Sequence, residues 1–239
     1  MIWGLVALTV FLFAYRIIAI LPKNHKKTRH STKRKTNCSV AVFLGSGASN
    51  RFKHNALPMS LKAVQGGHTS EALALISALN PERYNPRTYV VCSGDDLSVQ
   101  KVIQFESQFS GTQKSNYSLL LIPRARHVHQ PLVTIPVSVA FSLIHCIYYL
   151  TFRPLFDPKT PKFADALVLN GPGTCFVLCI AVYINKFLGL QAPLIIYVET
   201  FARVKSLSLS GKLIRPFADR FLTQWPSQGG SLNSNSWLV

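Results

Sequence analysis

Ser39-Val40-Ala41-Val42-Phe43-Leu44-Gly45-Ser46-Gly47 is the stretch that decides the fold. A short apolar run feeds directly into a Gly-Ser-Gly turn. A half-buried strand would alternate apolar and polar residues; a run that is apolar throughout suits a parallel strand covered on both faces. Thr88 to Cys92 repeats the arrangement before Ser93-Gly94-Asp95-Asp96, and Ser118 to Ile122 before Pro123-Arg124-Ala125-Arg126. Ala166 to Leu169 does so before Asn170-Gly171-Pro172-Gly173-Thr174, and Leu194 to Val198 before Glu199. Phe221 to Thr223 reads as a sixth strand. Between the first two runs, Ala72, Leu75, Ile76 and Leu79 share one face of a helix predicted over Thr69 to Leu79. Thr69 or Ser70 can cap it and Pro81 stops it. The pattern predicts an α/β fold with a parallel sheet and polar, glycine-rich groups at the carboxyl ends of its strands. Open α/β sheets bind ligands there.

Outward from this core, the chain has 239 residues, enough for one ordinary α/β domain and a short extra segment. It is 48% hydrophobic with a mean hydropathy of +0.22, which excludes a mostly disordered chain. The net charge of +17 is uneven. Eleven of the 26 Lys and Arg precede Glu71, the first acidic residue, so the body is only mildly basic. Ile2 to Leu21 is nearly all apolar, with Arg16 its one charge, and at ~1.5 Å per residue covers roughly one hydrocarbon core. A cleaved signal peptide carries its positive charge before the apolar run; here seven Lys and Arg follow, from Lys23 to Lys35. The expected organisation is a transmembrane anchor over 1–22, a basic cytosolic linker over 23–37 and the α/β domain over 38–239, with Arg16 reaching the headgroups. The basic stretch lacks interleaved aromatics and abuts the span, so anionic lipid, not nucleic acid, is its expected partner. Thr174 to Leu190 reads as a buried crossover helix. Leu132 to Phe152, interrupted by Pro136, Ser142 and His145, reads as a helix on the domain's membrane side rather than a plain core helix. The five cysteines form no C-x-x-C pair and read as reduced thiols, most of them buried.

A phosphate-binding turn between strand and helix is normally short. Here 18 residues, Ala48 to Gln65, separate Gly45-Ser46-Gly47 from Gly66-Gly67-His68, and they contain no acidic residue. Without them and one redundant glycine, Gly-Ser-Gly-Gly-His-Thr joins strand to helix directly. Nineteen codons, about 57 nucleotides, preserve the reading frame, so 48–65 is read as an insert, a translated intron or else a surface loop.

With the loop joined, the motifs resemble one family. They are Leu44-Gly45-Ser46-Gly47 with Gly67-His68-Thr69-Ser70-Glu71; Val91-Cys92-Ser93-Gly94-Asp95; Ile122-Pro123-Arg124-Ala125-Arg126-His127-Val128; and Asn170-Gly171-Pro172-Gly173-Thr174-Cys175. Further on come Tyr197 to Val204, Leu207 to Lys212, Asp219-Arg220-Phe221 and Gln224-Trp225-Pro226. In this order they resemble the membrane-anchoring subunit of the two-subunit N-acetylglucosaminyltransferase that performs the second step of dolichol-linked oligosaccharide assembly; an intron of that length points to a fungal member. The insert breaks the first motif, and the tail after Pro226 lacks the apolar character of the family's end. The resemblance implies a single Rossmann-like domain, the acceptor half of a split GT-B glycosyltransferase. It also implies a soluble catalytic subunit as heterodimeric partner, the endoplasmic reticulum membrane as location, with the nuclear envelope, and GlcNAc-diphosphodolichol as acceptor. No metal or other cofactor is expected.

The site residues follow from this resemblance. Gly45, Ser46, Gly47, Gly67, Thr69 and Ser70 form a turn before a helix N-terminus, where free N–H groups and the dipole favour an anion such as the acceptor diphosphate. Asn170, Gly171, Gly173 and Thr174 form a second such turn, with Pro172 in a first helical turn. Arg124 and Arg126 can neutralise diphosphate or bind headgroups. His68 is a candidate general base for the acceptor hydroxyl, a phosphate contact, or a helix cap. Glu199 and Arg203 fall on one face if a helix begins there, and an internal ion pair is the bland alternative. A non-catalytic adaptor and a one-chain nucleotide-sugar or dinucleotide enzyme are the competing readings. The motif is not G-x-G-x-x-G, and the acid after the second strand lies within Ser-Gly-Asp-Asp, which argues against a dinucleotide.

Overall fold

The computed structural model describes residues 2–22, 37–45, 67–109, 116–126, 130–157, 162–171 and 173–225. Ser46, Gly47, the insert 48–65, Pro172, the linker but for Asn37, and the tail from Pro226 lie outside the described residues.

All six expected strands form: β1 (Val40–Leu44), β2 (Arg87–Cys92), β3 (Tyr117–Ile122), β4 (Ala166–Asn170), β5 (Leu194–Val198) and β6 (Arg220–Leu222). They make one parallel sheet in the order β3-β2-β1-β4-β5-β6. This is a Rossmann-like arrangement, in which the chain winds outward in both directions from β1 and leaves a crevice beyond the carboxyl ends of β1 and β4. Leu44 and Asn170, the last residues of those two strands, are direct partners.

The apolar run of β1 feeds both faces. Ala41 and Phe43 join one core cluster, and Val40, Val42 and Leu44 join the other. The second cluster is closed by α2 (Gly67–Ser77) and α3 (Asp96–Phe109). The first is closed by α4 (Leu132–Phe156), α5 (Thr174–Leu188) and α6 (Leu209–Ile214). α4 is continuous from a 3-10 turn through an α-helix and a π-helical turn at Tyr148–Phe152 to a short α-helical end. α5 is the expected buried crossover, ended by Gly189 at φ +74, where a left-handed residue closes the helix without a Cβ clash.

Three expectations are corrected. β3 is not covered on both faces: it is the edge strand, and Leu119 and Leu121 are exposed beyond the reach of α3. No helix begins at Glu199, because 199–206 runs as turns and bends and the next helix is α6. Arg16 lies near the end of α1 (Ile2–Ile20), and its Nε and Nη2 donate to the carbonyls of Phe187 and Lys186, 3.2 and 3.4 Å away. It thus caps α5 with a cation, where unsatisfied carbonyls and the helix dipole favour one. Phe13 packs on Phe187 beside it. Among the described residues, α4 is the helix long and apolar enough to cross a membrane by length and composition; Val6–Ile20 within α1 is shorter.

Candidate functional site

Asn170 ends β4 fully buried, and Gly171 follows it at φ +107. An ideal Cβ on Gly171 would lie 2.6 Å from His68 Cγ, so the imidazole rests directly on this glycine. The absence of a side chain is needed here twice, for the backbone angle and for the ring. His68, one residue into α2, approaches Asn170 Oδ1 through Nδ1 at 2.9 Å. The Asn170 amide is oriented from its other end, since Nδ2 donates to Glu71 Oε2 at 3.2 Å. With Oδ1 toward the ring, Nδ1 must be the protonated nitrogen and Nε2 carries the lone pair. Glu71 Oε2 lies 3.9 Å from Nδ1. Its Oε1 accepts from Thr200 Oγ1 at 2.8 Å and from Phe201 N–H at 3.3 Å. A polar chain therefore crosses the crevice from α2 through β4 to the end of β5.

The hydroxyls expected to meet an anion are used elsewhere. Thr69 is buried and shares a 2.7 Å hydrogen bond with Ser98. Ser70 Oγ accepts from Lys101. Thr174 is buried, with its Oγ1 accepting from Ala125 N–H and close to the Cys92 thiol. What these residues offer a ligand is the backbone at two helix starts, not side-chain oxygen. Gly45 is buried at the end of β1 and Gly67 is exposed at the head of α2. Gly173 precedes α5 in helical conformation with no side-chain cap.

Arg124 is half-buried and Arg126 exposed in the turn after β3. That turn is pinned to α4: Ser142 Oγ donates to Pro123 O at 2.8 Å and Ser138 Oγ to Ala125 O at 2.9 Å. Glu199 is fully buried and accepts from Ser208 N–H, Ser208 Oγ and Thr200 N–H. It organises the start of α6, and a Cβ on Gly211 would collide with its Oε2. Arg203 is exposed in the 201–206 turns, so the expectation that it shares a helical face with Glu199 is overturned.

Sequence reasoning missed four participants. Glu71 was visible at i+3 from His68, a helical-neighbour spacing. Thr200 and Lys101 gave no local signal. Asp95 caps α3 through Oδ1 to Ser98 N–H, while its buried Oδ2 has no hydrogen-bond partner among the described residues. Burial pushes the Cys92 thiol up, keeping it protonated beside the crevice. Among the described residues no group of three or more His, Cys, Asp or Glu is placed to hold a metal ion.

Six parallel strands in this order, with two helix starts and a His-Asn-Glu network at the switch between β1 and β4, define a Rossmann-like α/β domain with its polar site at the topological switch point. The chain belongs to the family described as "Oligosaccharide biosynthesis protein Alg14 like", which matches residues 63–238. It is 47% identical over 233 residues to the UDP-N-acetylglucosamine transferase subunit ALG14 of Cryptococcus neoformans var. neoformans, covering 97% of this chain and 93% of the relative. Over 161 residues it is 43% identical to the subunit of the same name in Schizosaccharomyces pombe, 67% of this chain and 72% of the relative. The Homo sapiens subunit is 36% identical over 176 residues, 72% of this chain and 77% of the relative. No solved structure matches the chain.

Proposed function

We propose that this chain is the membrane-anchoring, acceptor-side subunit of a heterodimeric transferase that moves GlcNAc from UDP-GlcNAc to GlcNAc-diphosphodolichol. In this reading α1 crosses the endoplasmic reticulum membrane once and leaves the α/β domain in the cytosol. The domain is one half of a split GT-B enzyme. A soluble subunit supplies the other half, with most of the UDP-GlcNAc site, and neither half is active alone. The relatives' shared name, UDP-N-acetylglucosamine transferase subunit, supports the reaction and the need for a partner.

The observation that carries the reading is the oriented His68 in the β1/β4 crevice. Among the described residues no hydrogen bond engages Nε2, which is placed to accept the proton of the acceptor's 4-hydroxyl. The hydroxyl oxygen attacks C1 of the donor sugar, the C1–O bond to UDP breaks, and UDP leaves with the electron pair. The imidazolium that results is stabilised through Nδ1–H by Asn170 and by the Glu71 carboxylate. Backbone N–H groups at the starts of α2 and α5, with Arg124 and Arg126, are assigned to the acceptor diphosphate.

The test is co-purification from membranes with the partner, followed by transfer of labelled GlcNAc onto a synthetic GlcNAc-diphospholipid. Transfer is expected with both subunits and with neither alone; transfer by this chain alone would discard the split-enzyme reading. The inward-turned hydroxyls of Thr69, Ser70 and Thr174 favour one second reading, an adaptor without a ligand. It requires that alanine at His68 leave transfer intact.

A further inference from the structure

We propose that the outer face of α4 seats in the lipid bilayer, lying along the interface rather than crossing it. Seated there, it holds the Arg124–Arg126 turn and the adjoining crevice at headgroup level. The inference rests on the membrane reading of α1 given above and adds a second, independent membrane contact.

Val133, Val137, Phe141, Ile144, Tyr148, Phe152, Leu155 and Phe156 are all exposed large hydrophobics, with Val133 at 88%, Val137 at 72% and Phe156 at 76%. Their spacing keeps them on one helical face along the whole 25 residues of α4, about 37 Å at ~1.5 Å per residue. Water-exposed monomer surfaces rarely carry an apolar strip of this extent.

The opposite face of the same helix belongs to the domain. Cys146 and Leu150 are buried in the sheet's core cluster. Ser138 and Ser142 hold the turn after β3, and Asn185 of α5 donates to Leu150 O. A helix fastened along one side to the sheet cannot span a bilayer without drawing the sheet in with it, and β-strand edges do not enter hydrocarbon. The geometry therefore allows immersion of the outer face only, as in an interfacial amphipathic helix.

Charge and continuity name lipid as the occupant. The sequence holds no Asp or Glu between Glu106 and Asp157, while Arg124 and Arg126 lie in the turn pinned to Ser138 and Ser142 of α4 and Arg153 lies in its last turns. Basic residues beside an apolar strip that holds no acidic residue complement anionic headgroups over acyl chains. Tyr148 is of the type enriched at the membrane interface, and Phe141, Phe152 and Phe156 are of the type that an interfacial helix presents to acyl chains. The strip also lies on the layer that receives α1: Arg16 and Phe13 dock on α5, and α4 and α5 close the same core cluster.

The test uses the full chain reconstituted into phosphatidylcholine vesicles containing phosphatidylserine. Cys38 is replaced by Ser, and a bimane label is placed at V137C, I144C or Y148C, or at the exposed control position Q104C on α3, each in turn. We expect nitroxide lipids to quench the three α4 labels and aqueous iodide to quench the Gln104 label. Sedimentation with vesicles while iodide quenches all four labels alike overturns the seating of α4 and spares α1. Failure to sediment overturns both. Shielding of the α4 labels that appears only on adding the soluble partner assigns the face to protein and overturns the lipid reading. The three labelled positions are outward-facing, so no buried contact is lost, and agreement among them guards against one misfolded variant.

Discussion

Gly171 and His68 form a matched pair in which a missing side chain makes room for a ring. G171A places a methyl against the imidazole and forces an L-residue to a φ reserved for glycine, a strain of about 1–3 kcal/mol. We expect transfer to fall sharply while the domain still folds, read as a lowered urea midpoint together with a loss of kcat; a normal kcat would show that the ring need not rest there. His68 itself separates by kinetics. As the base, H68A should lower kcat by ~10²–10⁴ with KM for the lipid little changed. As a phosphate contact, H68A should raise KM, and H68Q, which keeps a donor, should restore it. At this scale the sequence showed the histidine and the glycines but not the tautomer. That depends on Asn170 and Glu71, 102 and 3 residues away from His68 along the chain, meeting it only after folding. A carboxylate beside a strand end looks available in sequence, and the partners of Glu199 at Ser208 become visible only in the fold.

The strands were legible because an apolar run ending in glycine or a charged turn has few other uses. The end of α2 is marked by an equally local signal, Pro81, whereas α5 stops at Gly189, short of the Leu190 to which the apolar run extends. β3 was legible as a strand but not as an edge, since strand order is a non-local property and its exposed leucines resemble core ones in sequence. Arg16 reads from sequence as a headgroup contact because nothing near it announces the carbonyl end of α5, some 170 residues later. The joint between β1 and α2 carries its own prediction. We propose that Ala48–Gln65 is an insert that separates two parts of one anion-binding turn. Closing a loop 18 residues longer costs only about a couple of kcal/mol by the logarithmic law, so in this proposal the effect comes from splitting the motif, with 18 extra residues of chain between Gly47 and Gly66. The form lacking these residues and one glycine should complement loss of the native subunit, and the form as written should do so poorly. Equal growth would mark a tolerated loop, and persistence of these codons in most mature transcripts would reject the intron.

Across the molecule, the thiols report the closure of the core. Cys175 is raised well above its usual value and Cys179 to about 12, both chiefly by burial, and Cys92 is raised for the same reason. A raised thiol pKa means less thiolate at any given pH, and thiolate is the species that reacts. In the folded protein at pH 8, iodoacetamide should modify half-buried Cys38 first, with these three reacting only as the chain unfolds. Peptide mapping reads this directly, and early labelling of Cys175 would contradict the closed α5 layer.

The grip of Arg16 on the end of α5 has a mechanical consequence. A helix joined to a domain by a slack strand of chain is a tether, and its tilt is its own affair. A helix whose last turns are clasped by the domain is a mast, and its tilt is transmitted. With α1 in a bilayer, acyl chains shorter than the helix needs lean it over, since mismatch is relieved by tilting. The crevice leans with it, and the α4 face is lifted from or pressed into the lipid. Transfer measured with the intact pair of subunits should therefore vary with acyl-chain length. R16A should flatten that dependence while leaving the chain in the membrane; an unaltered dependence would show that the clasp transmits no tilt.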